Sequence, residues 1–416
     1  MRFSMAALVC MLAACGGDGR LEPCEVASAE CQEDVFYAVV RMRGDGFDPF
    51  GGIPPIRTIT LDEYRDELQG DQADPPLPPD DDTMDDMEPE DTRSPQERAF
   101  DTALTLLGLL APTTSSGQAA VDDAVSNVVA FYSGGSGKVT VIDRGGEPDL
   151  FASTATLAHE LIHAFQGREP PVGGGDGSLD DAFARRALIE GEAELYEQLA
   201  AVEMAERQPE DLDWMGFYGS WIDKLREDIG ESKRPFFRVS RGFAYPLGAN
   251  RMLDAWFRGG NVAVRRVFEN RPTTSQFFMA TGTGVEQRKP VATRCAADPP
   301  SLGGTDGEEM KSYFRDRFGA AQLYGFLAKQ TGEDDGSWEQ ALDWQGDSLR
   351  IYGDEEGEVV ALSWRILLRD DTAEAVAEVL PESDEVRVFV DGRHLVVHAS
   401  NDAEILAEWR GATDCE

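Results

Sequence analysis

The chain has 416 residues, is 41% hydrophobic and 9% aromatic, and carries a formal charge of −40. That length allows two or three domains, and that apolar share allows a packed core of real size. The negative charge repels phosphates, which argues against nucleic acid and anionic lipid surfaces as partners and favours solubility.

The N-terminus reads MRFSMAALVCMLAACGGDGR. Arg2 gives a short positive region, and residues 5–14 form an apolar stretch too short to span a bilayer as a stable helix. The segment Leu12-Ala13-Ala14-Cys15 resembles a bacterial lipobox. The resemblance implies a signal peptide over 1–14, cleavage before Cys15 and lipidation of its thiol, so that acyl chains anchor the protein in a bacterial membrane. An ordinary secretory signal cut near the same place is the alternative. Gly16 follows the cysteine where Asp would signal inner-membrane retention, so the expected address is the cell envelope, at the outer membrane, on its periplasmic or surface face. With Cys10 removed and Cys15 acylated, Cys24, Cys31, Cys295 and Cys415 remain. An oxidising compartment suggests two disulfides among them. Local loop closure favours Cys24–Cys31, which leaves Cys295–Cys415. No CxxC spacing points to a cysteine zinc site.

Residues 15–95 read as a small, irregular N-terminal region. TLDE at 60–63 has capping-box spacing and opens a short helix to Gln69. Residues 70–92 hold ten acidic residues, five prolines and no basic residue, the composition of a solvated, extended linker. DDDTMDD within it lacks the glycine and final glutamate of a calcium loop. By position alone, residues 16–95 are also where a cleft-blocking pro-segment would lie.

Residues 96–295 form the expected main domain. QERAFDTALTLLGLL reads as a helix, and VVAFYS (128–133), GGSG (134–137) and KVTVIDRG (138–145) as a β-hairpin. A helix follows over 152–166, capped by Ser153 or Thr154, and a long one over 180–207. Further helices cover WIDKLREDIG, GANRMLDAWFRG and NVAVRRVFEN. Residues 296–308 read as a linker, and 309–416 as a small C-terminal domain. In it a helix over roughly 309–330 precedes SLRIYG and VVALSWRILL as strands, TAEAVAEVL as a helix, VRVFVDGRHLVVHAS as a hairpin and AEILAEWR as a closing helix. In WQGD, Trp344 reads as a core anchor and Gly346-Asp347 as a turn. The predicted fold class is α+β: a mainly helical domain with a small hairpin or sheet, then a ββαββα-type domain.

Two of the four histidines fall in TLAHELIHAFQ, residues 156–166. His159 and His163 stand at i and i+4, on one helical face about one turn apart, the separation two imidazoles need to share a tetrahedral zinc ion. Glu160 lies about 100° round the helix, where it can reach a metal-activated water without being a ligand. No other charged residue occurs between 154 and 166, so the helix reads as buried and the imidazoles need a reason to be there. The third ligand is expected from EGEAE, 190–194. Glu190 follows an apolar run, and Gly191 and Ala193 are small enough to admit the HELIH helix closely. Glu194 shares the face of Glu190 and can take a hydrogen bond from a ligand imidazole. The alternative is a solvated acidic stripe with Glu192 and Glu197. His394 and His398, on the terminal hairpin, read as surface or packing residues.

HELIH followed by EGEAE, with 26 residues between His163 and Glu190, resembles the gluzincin (peptidase MA) clan. Together with AFYSGGSGKVTVID, FAYPLGANRMLDAWFRGGN and LDWQGDSLRIY it is similar, over roughly 96–365, to a group of largely uncharacterised secreted or surface metallopeptidase-like proteins of bacteria and archaea. The resemblance implies a zincin-like domain and one Zn2+ per chain, bound by His159, His163 and Glu190. It implies Glu160 as general base and Glu194 in place of the clan's usual outer Asp. The activity it implies is hydrolysis of a peptide or protein substrate. Tyr245, in FAYPLG, is the candidate oxyanion donor, with Tyr132 and Tyr196 as alternatives. The rival readings are a non-catalytic surface lipoprotein that uses the fold as a binding scaffold, and a zinc hydrolase of another bond.

Overall fold

The structure is a computed structural model that describes residues 20–44, 52–70, 93–169, 172–280, 290–291, 310–332, 334–369, 372–381 and 383–409. The lipobox with Cys15, the acidic linker beyond Gly70, the 296–308 linker and the Cys295–Cys415 pairing lie outside the described residues. The elements begin with α1 (Ala29–Arg43), β1 (Ile56–Thr60), α2 (Leu61–Gly70), α3 (Pro95–Leu106), α4 (Ser116–Asn127), β2 (Ala130–Ser133) and β3 (Lys138–Asp143). Next come α5 (Leu150–Gln166), α6 (Leu179–Met204), α7 (Trp214–Glu227), α8 (Pro235–Phe237), α9 (Ala244–Glu269) and α10 (Ser275–Met279). The chain continues with β4 (Lys311–Asp316), α11 (Gly319–Thr331), α12 (Asp334–Leu342), β5 (Trp344–Gly353) and β6 (Val360–Leu368), then α13 (Thr372–Val379), β7 (Val386–Asp391), β8 (His394–Ser400) and α14 (Ala403–Glu408). The fold is mixed α+β and mostly helical, with one three-stranded sheet in the order β1-β3-β2 and one antiparallel five-stranded sheet in the order β4-β5-β6-β8-β7. Among the described residues, no helix is long and apolar enough to cross a membrane.

Residue contacts divide the chain into two units that alternate along the sequence, and α6 contributes to both. The first takes in Met1–Leu61, Val129–Pro171 and Glu192–Asp213. Its hairpin is the expected one: β2 and β3 pair antiparallel, and Gly137 closes the turn at φ +68, a conformation that suits glycine. The described part of the N-terminal region is not irregular. Ser28 caps α1 by accepting from the Cys31 backbone N–H, and Gly44 ends it at φ +71. Cys31, Val35, Phe36, Ala38 and Val39 make the buried stripe of that helix. Further on, β1 runs parallel to β3, with Ile56 opposite Val139. A parallel partner so distant in sequence leaves no hairpin signal, which is why β1 escapes pattern reading. Cys24 and Cys31 are joined in a disulfide.

The second unit takes in Asp62–Val128, Val172–Gly191 and Trp214–Glu416. The expected ββαββα order appears as β5-β6-α13-β7-β8-α14. The single helix expected over 309–330 is instead a strand and a helix, since KSYFRD pairs with β5 and only Gly319–Thr331 is helical. GANRMLDAWFRG and NVAVRRVFEN form one element, α9, broken at Gly259 and Gly260, where Gly260 takes φ +60.

Gly346-Asp347 is no turn either. Both residues lie within β5, next to a bulge, and Trp344 is a core residue as expected. The buried Asp347 carboxylate accepts from the indole N–H of Trp344 (2.9 Å) and of Trp364 (2.8 Å), and from the backbone N–H groups of Phe318 (2.8 Å) and Gly319 (3.0 Å) at the start of α11. Burial pushes its pKa up, and the four donors pull against that shift. A second buried carboxylate, Asp180, fixes the start of α6. It accepts from the Ser275 backbone N–H (2.7 Å), the Ser275 hydroxyl (2.5 Å) and Nε of Arg317 (3.2 Å). Burial pushes the Asp180 pKa up to about 6, with the Arg317 guanidinium opposing. Gly319, at φ +83, makes room for Asp180: a Cβ there would sit 2.0 Å from its Oδ1.

Two outcomes are expected. Asp347→Leu strands four buried donors and should cost on the order of 4 kcal/mol in urea unfolding, with Asp347→Asn costing less because one oxygen still accepts. His398 is 2% exposed, stacked on Trp409 at 4.2 Å, and burial holds its pKa down to about 4. Its folded pKa lies below the ordinary value of 6.5, so the unfolded chain binds the extra proton as pH falls from 6.5 towards 4. Over that window wild type should lose up to about 3 kcal/mol more stability than His398→Leu, read as the change in their difference between neutral and acidic urea titrations.

Candidate metal centre

TLAHELIHAFQ lies on α5. The helix is capped by Asp149, not by Ser153 or Thr154: the Asp149 carboxylate accepts from the N–H groups of Phe151 (3.0 Å) and Ala152 (3.1 Å). Thr154 has another task. Fully buried, it accepts from the Cys24 backbone N–H (3.0 Å) and donates to the Cys24 carbonyl (3.1 Å), which pins the disulfide loop to the first turns of α5. Phe165 stacks on Phe36 of α1 at 5.8 Å.

His159 (6% exposed) and Glu160 (5%) are buried, and His163 is half-buried. The two Nε2 atoms face one another at 3.0 Å. His159, His163 and Glu190 each bring a donor atom to within 4.8 Å of the others. Two ligand atoms on a tetrahedral zinc stand about 3.3 Å apart, a spacing within that limit, and the group could hold a metal ion. His159 also belongs to a second group with Glu194 and Glu197. Among the described residues, His394 and His398 join neither.

The outer contacts distinguish the two groups. Glu197 Oε2 lies 2.9 Å from Nδ1 of His159, an ion-pair contact rather than an aligned hydrogen bond. Nδ1 of His163 lies 2.8 Å from Oε1 of Gln166. Gln166 in turn donates through Nε2 to Glu192 (2.9 Å), and Glu192 accepts from Nε of Arg43 (3.1 Å). His163 therefore has an acceptor at Nδ1, which puts the proton there and the lone pair on Nε2. That is how a metal-binding histidine is held. Glu194, expected in the outer role, accepts a hydrogen bond from Gln198 (2.8 Å) and lies with Glu197 in the second group around His159. Glu192, grouped with a solvated stripe in the alternative reading, is 2% exposed. Spacing could have found some of this: Glu190, Glu194 and Glu197 follow i, i+4, i+7, and Gln166 is i+3 from His163. Nothing in the sequence could have found Arg43.

The neighbour that Gly191 admits is α9 rather than the HELIH helix. A Cβ on Gly191 would lie 2.3 Å from the Gly248 carbonyl carbon, and one on Gly248 would lie 1.9 Å from the Ala187 carbonyl oxygen. The two backbones thus touch beside Glu190. Tyr245 is half-buried on the first turn of α9, three residues before Gly248. Tyr132, on β2, packs over the end of α5, where a Cβ on Gly167 would meet its ring at 2.6 Å. Tyr196 is buried in α6.

No protein-family model, curated protein or solved structure matches the chain. What the site carries rests on its own residues: a His/His/Glu group able to hold a metal ion.

Gly191→Val forces α6 off the α9 backbone. It should cost about 3 kcal/mol in thermal unfolding of the metal-free protein and weaken metal binding as well, because Glu190 moves with its neighbour.

Proposed function

We propose that the chain is a zinc-dependent hydrolase of peptide bonds, working as the gluzincin resemblance implies. One observation carries the reading: the Nε2 atoms of His159 and His163 converge at 3.0 Å beside Glu190, with His163 held through Nδ1 by Gln166. Two imidazole nitrogens facing each other at that distance, with a carboxylate alongside, suit a cation once both rings carry their proton on Nδ1.

His159 and His163, through Nε2, and Glu190, through a carboxylate oxygen, would hold the ion. When bound, zinc supplies a Lewis acid that lowers the pKa of water to about 7 and polarises a carbonyl. The remaining tasks fall to the protein. Glu160, buried on the same helix yet in neither metal group, takes the proton of the attacking water and returns it to the leaving amine nitrogen. Tyr245 donates to the carbonyl oxygen as charge develops on it. Gln166 keeps the His163 ring proton on Nδ1, and the Glu197 carboxylate stands beside Nδ1 of His159. The Cys24–Cys31 disulfide supports an oxidising compartment, in line with export and a lipid anchor at Cys15.

Metal analysis of the mature chain tests this. One zinc per chain is expected, with most of it lost in His163→Ala and Glu190→Gln. Glu160→Gln should keep its zinc and lose a factor of about 10²–10⁴ in cleavage of a peptide library. A wild type that stays metal-free after zinc is offered at neutral pH would end the enzyme reading. Zinc retained in Glu190→Gln but lost in Glu194→Gln would move the ion to the second group.

A further inference from the structure

We infer that Arg43, at the end of the N-terminal helix, is a positioning residue for the ligand His163, acting through Glu192 and Gln166. The inference rests on the metal reading above.

Four side chains stand in line. The Arg43 guanidinium donates through Nε to Glu192 Oε1 (3.1 Å), Gln166 donates through Nε2 to Glu192 Oε2 (2.9 Å), and Gln166 Oε1 meets Nδ1 of His163 (2.8 Å). The order of donors follows from chemistry. A carboxylate facing a guanidinium offers acceptors only, so Gln166 must turn its NH2 towards Glu192. Its carbonyl oxygen then points at the imidazole, and His163 must answer with an N–H at Nδ1. The lone pair is left on Nε2, the atom that faces His159. A cation on α1 thereby selects the tautomer of a ring on α5.

Arg43 is itself held on three sides. It is buried, its Nη2 donates to Glu169 (2.7 Å), and its guanidinium carbon lies 5.5 Å from the centroid of the Phe165 ring. Glu169 and Phe165 flank the last turn of α5, so the guanidinium brackets the helix end that carries His163 and Gln166. Residues 20–44 accordingly belong to the metal centre's support and do not behave as a removable pro-segment.

The test is zinc affinity by competition with a chromophoric chelator, on the full mature chain, with the cobalt(II) spectrum as a second readout. Arg43→Met should weaken zinc binding by about 10–100-fold and alter the cobalt bands, with Arg43→Lys recovering part of the loss. Gln166→Leu, which leaves the Arg43–Glu192 pair in place, should match Arg43→Met, and it stands in should that variant fail to fold. Thr154→Val loosens α5 at its other end and serves as the packing control, with wild-type zinc affinity. If wild type binds zinc while Arg43→Met and Gln166→Leu bind it equally well, the positioning role is wrong and the metal reading survives. If the control weakens binding as much as they do, the effect is packing and the inference fails. If wild type binds no zinc, both fall.

Discussion

Acid groups taken out of water need donors or cations, and α6 is where this protein meets that requirement most often. Asp180, Asp181, Glu192 and Glu194 are all buried on it. Asp180 is satisfied by Ser275 and Arg317, Asp181 pairs with Arg271 at 2.6 Å, and Glu192 accepts from Arg43 and Gln166. An ionised carboxylate left alone in such surroundings would cost several kcal/mol, so each one dictates what must stand beside it. The register of α6 against its neighbours follows from these pairings, and the position of Glu190 follows from the register. His159, His163 and Glu190, the last also 3.9 Å from Arg186, form a group able to hold a metal ion.

Much of this was legible in the sequence, for reasons that differ by element. The β2–β3 hairpin announces itself through a glycine turn between β-branched runs, and the terminal hairpin through Asp391-Gly392. HELIH is legible because helical spacing is rigid: i and i+4 bring His159 and His163 together whatever the rest of the fold does. Glu190 follows from its place after an apolar run. What stayed hidden depends on partners far along the chain. β1 has no local signature, because its partner β3 is parallel and distant. KSYFRD reads as part of a helix because six residues do not separate a period of 2.0 from one of 3.6, and only pairing with β5 decides it. Asp347 read as a turn because Gly-Asp favours turns, but four buried donors outweigh that preference.

The charge of −40 also takes on a different meaning beside these contacts. With twice as many acidic as basic residues, cations are the scarcer sign, and Arg43 and Arg317 each serve two acids. Arg43, Arg271 and Arg317 are all spent on buried or half-buried acids of the interior. An overall excess of one sign therefore concentrates the consequence of losing a single opposite charge.

The N-terminal helix carries a consequence for assembly. Arg20 binds the Glu203 carbonyl across 183 residues of chain, and Arg43 reaches Glu192 across 149. Closing loops of that length adds little to the equilibrium cost, since the entropy grows only with the logarithm of length. Its kinetic weight is larger, because contacts distant in sequence form late. Made before them, α1 must wait for α5 and for the second half of α6 before these partners are in place. The first unit is thus completed only after residue 213 has been made, and until then the apolar stripe of α1 is exposed to whatever else can cover it.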